Sequence, residues 1–433
     1  MQEHPVSAAQ QASRIVQLDV LRGFAVLGIY WINILIFALP YHSYTLPTVS
    51  GTADQANITA WAISEIFFDG AMRGLFSLLF GASAMLFLDE RRHSGTDLEI
   101  VDRYYRRTLL LLLFGLVHAY VLLWPYDVLY AYGLLGLFLF PLRKLSTPLL
   151  IVLAAGLLLI GEMDNRHFGE DDPTEEQIAH ASLRDTLQAL QKHQPPSPSQ
   201  YDNREVNNII DHEDVELYRS SYQRIFTAQF NLVVEQHSTS MYTSHVFDIG
   251  GMMLIGMVLL RMGILSGQRS RRYYLVLLLG GYGLGIVLRG ITVYISILND
   301  FNAMLITKDV DLNYQLGRLP IVLGHIGLIG LLCKYSVFFW LQDKLAAVGR
   351  LALTHYIMQT LISLFIFYGF GLGLYARLER YELVFICLAV WAVQILFSVL
   401  WLHQFRLGPL EWLWRSMIYA RRQALRKKTA SDH

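Results

Sequence analysis

The sequence predicts an all-α polytopic membrane protein: a bundle of about ten transmembrane helices in two five-helix halves, with an acidic, partly helical loop on the outer face. Three observations carry this reading. Hydrophobic residues make up 54% of the 433 positions and charged residues 16%, well under the roughly 25% of an average soluble domain. The apolar residues gather in runs close to the about 20 residues that cross a bilayer as a helix. The basic residues are segregated among the short connections between those runs, as the positive-inside rule requires. The same composition excludes a disordered chain and argues against a soluble enzyme. Lys+Arg 35 balance Asp+Glu 35, so no global basic field points to nucleic acid. Cys333 and Cys387 both lie inside apolar runs and supply neither a disulfide framework nor a metal site.

Taken in order, residues 1–17 are polar, with no basic stretch leading to a small-residue cleavage site, so the first apolar run is expected to be a retained helix. The first half, 18–163, holds candidate spans at roughly 18–39, 62–88, 104–124, 128–142 and 148–163. The segment 164–242 carries 14 acidic and six basic residues; helical stretches at Glu175–Lys192 and Glu213–Glu235 flank Pro195-Pro196-Ser197-Pro198. A connection this long is more often functional or disordered than a plain linker. The second half, 243–405, holds spans at roughly 245–265, 272–297, 317–340, 346–368 and 382–402, and 406–433 is a basic tail. With the N-terminus inside, 22 Lys/Arg fall on cytoplasmic segments, against Lys308, Arg377 and Arg380 on short outer loops. The even span number then places the C-terminus inside as well.

Ionisable residues within spans are costly and usually face the bundle interior. An inner group begins with Asp19 and Arg22, three apart and therefore on one helix face. They read either as a helix cap with a snorkelling arginine or as a site for an anionic ligand arriving from the cytoplasm. Arg350, Thr354, His355 and Gln359 open the ninth span from the same side. The last two can line a cavity wall or simply hydrogen-bond between helices. An outer group contains Asn33, His42, Glu65, Asp69, Arg73, His118, Asp127, Asp248, Arg289 and Arg318. Their shared depth suggests a polar cavity open to the outside, with each pair alternatively a satisfied structural contact. Glu65, Asp69 and Arg73 are spaced by four, and Asp69–Arg73 is a candidate ion pair. His118 and Asp127 flank the Trp124-Pro125-Tyr126 turn, so a carboxylate can orient the imidazole.

Other patterns carry no chemistry. Gly280-Gly281-Tyr282-Gly283-Leu284-Gly285 departs from GxGxxG and lies in an apolar run, which points to helix packing. No P-loop, HExxH or GxSxG pattern is present.

The opening Leu18-Asp19-Val20-Leu21-Arg22-Gly23-Phe24-Ala25, followed by Asn33-Ile34, resembles the bacterial YeiB-like membrane proteins. So do Phe76-Ser77-Leu78-Leu79-Phe80-Gly81-Ala82 and Phe114-Gly115-Leu116-Val117-His118, with Asp127-Val128-Leu129-Tyr130-Ala131-Tyr132-Gly133 after it. Gly349-Arg350-Leu351-Ala352-Leu353-Thr354, Phe367-Tyr368-Gly369 and the run from Phe405 to Arg415 resemble that family's C-terminal domain of unknown function. The likeness covers nearly the whole chain except the acidic loop. The family is grouped with a wider superfamily of transmembrane acyltransferases, including heparan-α-glucosaminide acetyltransferase, whose first span also begins with an Asp-x-x-Arg-Gly pattern.

That resemblance implies a bacterial inner-membrane protein with a cytoplasmic acyl-CoA donor, no metal, and a small-molecule or glycan acceptor on the far side. Membrane lipids are the other expected partner, and a homodimer is an open expectation. Arg22 and nearby arginines would hold the donor's phosphates, and Asn33 would bond the thioester oxygen or the acceptor. His118 or His42 would be the base, with Asp127 orienting His118. His118 is preferred because it falls within the matched motif; His42 follows Asn33 by nine residues, a shorter spacing than in heparan-α-glucosaminide acetyltransferase. The alternative function is a small-molecule transporter using the His and Asp/Arg pairs as a proton relay; a membrane scaffold for an outer partner is a third.

Overall fold

A computed structural model of the chain describes residues 15–40, 47, 54–91, 97–168, 212–298, 301, 314–335 and 338–427. The regular structure among them is helical, apart from one isolated antiparallel bridge between Phe405 and Arg426. The helices are α1 (Val16–Ala38), α2 (Gln55–Ile63), α3 (Ala71–Arg91), α4 (Asp97–Leu116), α5 (Val128–Leu142), α6 (Thr147–Phe168), α7 (Tyr222–Glu235), α8 (Val246–Arg261), α9 (Arg271–Leu298), α10 (Tyr314–Lys334), α11 (Phe339–Arg350), α12 (Ala352–Phe367), α13 (Arg380–Gln404) and α14 (Pro409–Ile418).

Five helical stretches among the described residues are long and apolar enough to cross a membrane: α1, the α2–α3 stretch, α9, α10 and α13. The pair α11 and α12, bent by 80°, makes a sixth if counted as one span. The apolar part of α6 and all of α5 are shorter, and α8, with 16 residues, reaches only about 24 Å. Among the described residues this is an all-helical membrane architecture, in which the ten apolar runs are not each matched by a helix of full crossing length. The helical stretch expected at Glu175–Lys192 lies outside the described residues. The one expected at Glu213–Glu235 is helical at 212–218 and again along α7, with a break between.

A helix apolar on every side belongs in the middle of a bundle. Accordingly α1 is buried along most of its length, from Gln17 to Ala38, and packs on α3, α10, α11, α12 and α13. Its 23 residues span about 34 Å and define two ends of the bundle. At the tail end, Gly23 and Gly349 let α1 and α11 touch backbone to backbone: a Cβ on Gly23 would strike the Leu345 carbonyl, and one on Gly349 the Asp19 carbonyl. At the loop end, the Ala38 carbonyl accepts a hydrogen bond from the Ala376 N–H at 2.7 Å. By contrast α9 turns much of its apolar surface outward (Val276 is 70% exposed) and grips α10 along Gly281 and Gly285. Gly280 and Gly283 face open space, so only two glycines of that run pack.

Three π-helical turns occur among the described residues, a feature that recurs at functional sites; Gln236–His245 follows α7, and the other two carry residues of the outer group. The first, Ser64–Phe68, ends in extended Asp69 and in Gly70 at φ +61° before α3 begins. Glu65, Asp69 and Arg73 therefore do not form the stripe of one straight helix. The second, Val117–Val121, continues α4 and contains His118. The chain then turns through Leu123 at φ 53° into Trp124-Pro125-Tyr126 and enters α5.

Candidate functional site

At the tail end a cavity of about 490 Å³ opens among α1, α3, α4, α5, α11, α12 and α14, a size usual for small-molecule sites. Four arginines from four helices line it: Arg22, Arg107, Arg350 and Arg415, together with Asp19 and Glu411. The Gly23–Gly349 contact brings the first and third of these together. Arg22 donates to Asp19 Oδ1 at 2.9 Å and to Ser83 Oγ at 2.8 Å, and its side chain keeps 28% exposure. The Arg107 guanidinium lies over the rings of Phe87 at 5.1 Å and Trp414 at 5.4 Å.

The lower wall is α14. Gly408-Pro409 start this helix, and Trp414 Nε1 donates to the Arg107 carbonyl at 3.2 Å. The chain beyond folds back, with Trp412 Nε1 donating to the Gln423 carbonyl at 2.8 Å. Glu411 accepts from the Thr354 N–H at 3.0 Å and from Thr354 Oγ1 at 2.5 Å. It thus caps α12, whose own N-cap, Leu351, offers no side-chain bond. Burial pushes the Glu411 carboxyl above its ordinary range, against the pull of the Thr354 donors.

The deep end of the cavity is closed by Tyr132 and Tyr356. Tyr132 shares a hydrogen bond with Ser77 Oγ at 2.8 Å. Tyr356 Oη accepts from Trp124 Nε1 at 3.2 Å and from the Val128 N–H at 3.3 Å. Behind the Tyr356 ring, with ring centroids 4.9 Å apart, lies His118, fully buried. Asp127 holds it: Oδ1 is 2.7 Å from His118 Nδ1, while Oδ2 accepts from the Tyr130 N–H at 2.7 Å and so caps α5. In a neutral imidazole, a carboxylate accepting at Nδ1 puts the proton on that nitrogen and leaves Nε2 a lone pair. Thr360 Oγ1 is 2.8 Å from Nε2. The Thr360 hydroxyl therefore occupies the position that a hydroxyl about to lose its proton would take.

The expected inner group divides. Asp19, Arg22 and Arg350 line the cavity, and Thr354 anchors its wall. His355 bonds Ser398 Oγ at 2.5 Å, and Gln359 donates to the Val26 carbonyl at 3.0 Å and to Gln394 at 3.2 Å. Those two clasp α12 to α1 and α13, the interhelical alternative.

Most of the outer group pairs across helices. Asp248 accepts from Arg318, Arg73 and Gln315, the last at 2.8 Å. Arg289 lies 3.7 Å from Glu65 and 3.6 Å from Asp69, and donates to the Asp69 carbonyl at 2.9 Å. None of these lines the cavity, which instead belongs to the inner group. Asn33 is half-buried on α1, eleven residues and about 16 Å beyond Arg22, and is not among the lining residues. His42 lies outside the described residues. Sequence reasoning missed Tyr356, Tyr132 and Thr360 as neighbours of the site, and Arg107, Glu411 and Arg415 as cavity residues. The α14 residues had a signal in the matched C-terminal run, but nothing in a linear pattern seats α14 against α4.

Residues 259–421 match the family model described as "Protein of unknown function (DUF418)". The "Uncharacterized protein YxaH" of Bacillus subtilis is 30% identical over 421 residues, 96% of this chain and 97% of that protein. The "Uncharacterized protein YeiB" of Escherichia coli is 30% identical over 425 residues, 93% and 96% of the two chains. A third relative, an "Uncharacterized 39.9 kDa protein in amylase 3'region" of Bacillus acidopullulyticus, is 26% identical over 421 residues, 97% of this chain and 98% of that protein.

Proposed function

This chain belongs to the YeiB-like family of membrane proteins, and from that premise we propose that it is a transmembrane acyltransferase. A coenzyme A thioester occupies the arginine-lined cavity, and its acyl group passes to an acceptor reached from the other end of the bundle. One observation carries the reading: a cavity bearing four arginines ends on Tyr356, and directly behind that ring sits a buried His118–Asp127 pair. Arginine forks suit phosphates, which they bind in paired hydrogen bonds. The rings of Phe76, Phe80 and Trp414 give the thioester arm an apolar wall. With the Thr360 hydroxyl displaced from Nε2, His118 takes the proton from the acceptor hydroxyl or amine as it attacks the thioester carbon, and the coenzyme A thiolate leaves. In this reading Asn33, about 16 Å beyond Arg22 along α1 and outside the cavity lining, bonds the thioester oxygen at the far end of the donor's arm.

In this proposal the cavity end faces the cytoplasm of the bacterial inner membrane, both termini lie there, and residues 164–242 form a domain on the outer face between two halves. The Lys/Arg bias supports that orientation.

The test is thermal unfolding of the detergent-purified protein with acetyl-CoA and longer acyl-CoAs, with free CoA as control. A ligand that binds the folded state raises the unfolding temperature by mass action. Stabilisation that disappears in Arg22→Ala is expected. No shift with any CoA species at millimolar concentration overturns the reading. Where transfer is measured, His118→Ala is expected to slow it by about 10²–10⁴-fold while leaving acyl-CoA stabilisation in place. Transfer at the native rate in that variant removes His118 from the mechanism.

A second reading, proton-coupled transport, draws on the separate buried network around Asp248. It expects substrate uptake into vesicles that collapses when the proton gradient is dissipated.

A further inference from the structure

His237 stands apart from everything used so far. It lies in the π-helical turn Gln236–His245 that follows α7. Its ring stacks on Tyr130, centroids 4.1 Å apart and 16° from parallel, and meets the edge of Tyr120 at 5.7 Å. Phe230 packs on Tyr120 at 5.4 Å. Both ring nitrogens of His237 are shielded from solvent, and neither has a hydrogen-bond partner among the described residues. Buried polar atoms are nearly always paired, so two orphaned nitrogens on one ring ask for a reason.

The position supplies one. On α5, Leu129 and Tyr132 face the arginine cavity, whereas Tyr130 leaves the helix on another face. The Tyr130 N–H holds the same Asp127 carboxylate that orients His118. The His237 ring is thus one stacked residue away from the buried pair, approached from the side the cavity does not use. We propose that His237, with Tyr130 and Tyr120, forms a binding subsite for a neutral hydroxyl-bearing ligand, a polyol or sugar. As the acceptor subsite of acyl transfer it rests on the function proposed above; as a binding site it stands without it.

The chemistry selects that ligand class. A neutral imidazole has one donor and one acceptor nitrogen, and a hydroxyl is both an acceptor and a donor. An anion would need the protonated ring, and burial lowers the proton affinity of His237 despite the nearby Asp127 carboxylate. A metal ion would need converging ligands, and no three His, Cys, Asp or Glu side chains gather among the described residues. The aromatic surroundings suit the C–H faces of a polyol while its hydroxyls reach the imidazole.

The test uses the full chain in polymer-bounded lipid discs, free of glycoside detergents. The probes are methyl α-D-glucopyranoside and glycerol, observed by saturation-transfer NMR. His237→Phe keeps the ring stack and removes both nitrogens; His237→Gln keeps one donor and one acceptor. Saturation transfer to at least one probe is expected in the native protein. It should weaken at least about tenfold in His237→Phe, the worth of one hydrogen bond near 1.4 kcal/mol, and less in His237→Gln. The unfolding temperature of His237→Phe should be no lower than native, because apolar carbon replaces unpaired nitrogen. No transfer to either probe in the native protein, or equal transfer in native and His237→Phe, overturns the subsite. Acetyl-CoA stabilisation is measured on the same samples. Its absence alone sinks acyl transfer and spares the subsite; its presence without probe binding sinks the subsite alone.

Discussion

Arg318 and Arg22 are both arginines on apolar helices, and each meets an aspartate. Arg318 is fully buried and shares Asp248 with Arg73 and Gln315. Arg22 keeps 28% of its side chain exposed, meets Asp19 on its own helix, and turns toward a cavity. The first cluster holds α3, α8 and α10 together around one buried carboxylate, with Arg318 sealed in and Arg73 33% exposed at its edge. The second leaves positive charge facing space that a ligand can fill. Inside a bilayer an ionisable residue is often taken as a sign of function. The contrast shows that the sign lies in what the charge faces, because a carboxylate shared among several donors is fully compensated where it stands.

The largest effect should come from breaking the first cluster. Asp248→Ala leaves Arg318 buried without its counter-charge, a loss of about 3–5 kcal/mol. A lowered unfolding temperature, or failure to recover folded protein, is expected with or without acyl-CoA. A native unfolding temperature would show that the cluster is not structural. Next comes Gly349→Val, which forces a side chain into the backbone of α1. Overpacking of this kind costs about 1–3 kcal/mol, and acyl-CoA stabilisation should fall with it, since Arg22 and Arg350 move apart. Arg22→Ala strips the buried Asp19 of one partner at the cavity wall; it should cost less than Asp248→Ala, whose arginine lines no cavity, yet remove the acyl-CoA shift. If it destabilises as much as Asp248→Ala, the two clusters are the same kind of object and the comparison fails.

The smallest effect is a pH dependence at Glu411. Its folded pKa is raised, so the folded state binds its proton more tightly than the unfolded chain does. The resulting stability is fully present below the ordinary Glu value and is lost as pH rises through the raised one. Unfolding temperature followed upward from about pH 4 should therefore decline more steeply in the native protein than in Glu411→Gln. Identical slopes would mean that the Glu411 carboxyl is not held above its usual range.

Much of this was legible in one dimension. The His118–Asp127 pair could be read because a short hairpin, Trp124-Pro125-Tyr126, separates the two residues and brings them back together. The Asp19–Arg22 pair could be read because three residues make one helical turn. The Glu65, Asp69 and Arg73 stripe could not be trusted. It assumes an unbroken helix, and the chain instead passes through a π-turn and a left-handed Gly70. The depth ordering of the outer group was sound as a list of costly residues. It could not say that most of them would compensate one another across helices rather than line a cavity.

Composition, hydrophobic run length and basic segregation determine by themselves that this chain is a helical membrane protein, because the bilayer imposes its thickness and charge asymmetry on any sequence that crosses it. The matched motifs also name its family. Which arginines share a cavity, which hydroxyl sits on His118 Nε2 and which histidine is left with two orphaned nitrogens were decided only by tertiary packing. Those contacts join α1 to α11, α4 to α14 and α5 to the turn after α7, across long stretches of intervening chain. Whether two such helices meet depends on close approaches like that of Gly23 and Gly349, where the absence of a side chain matters only once its partner is in place.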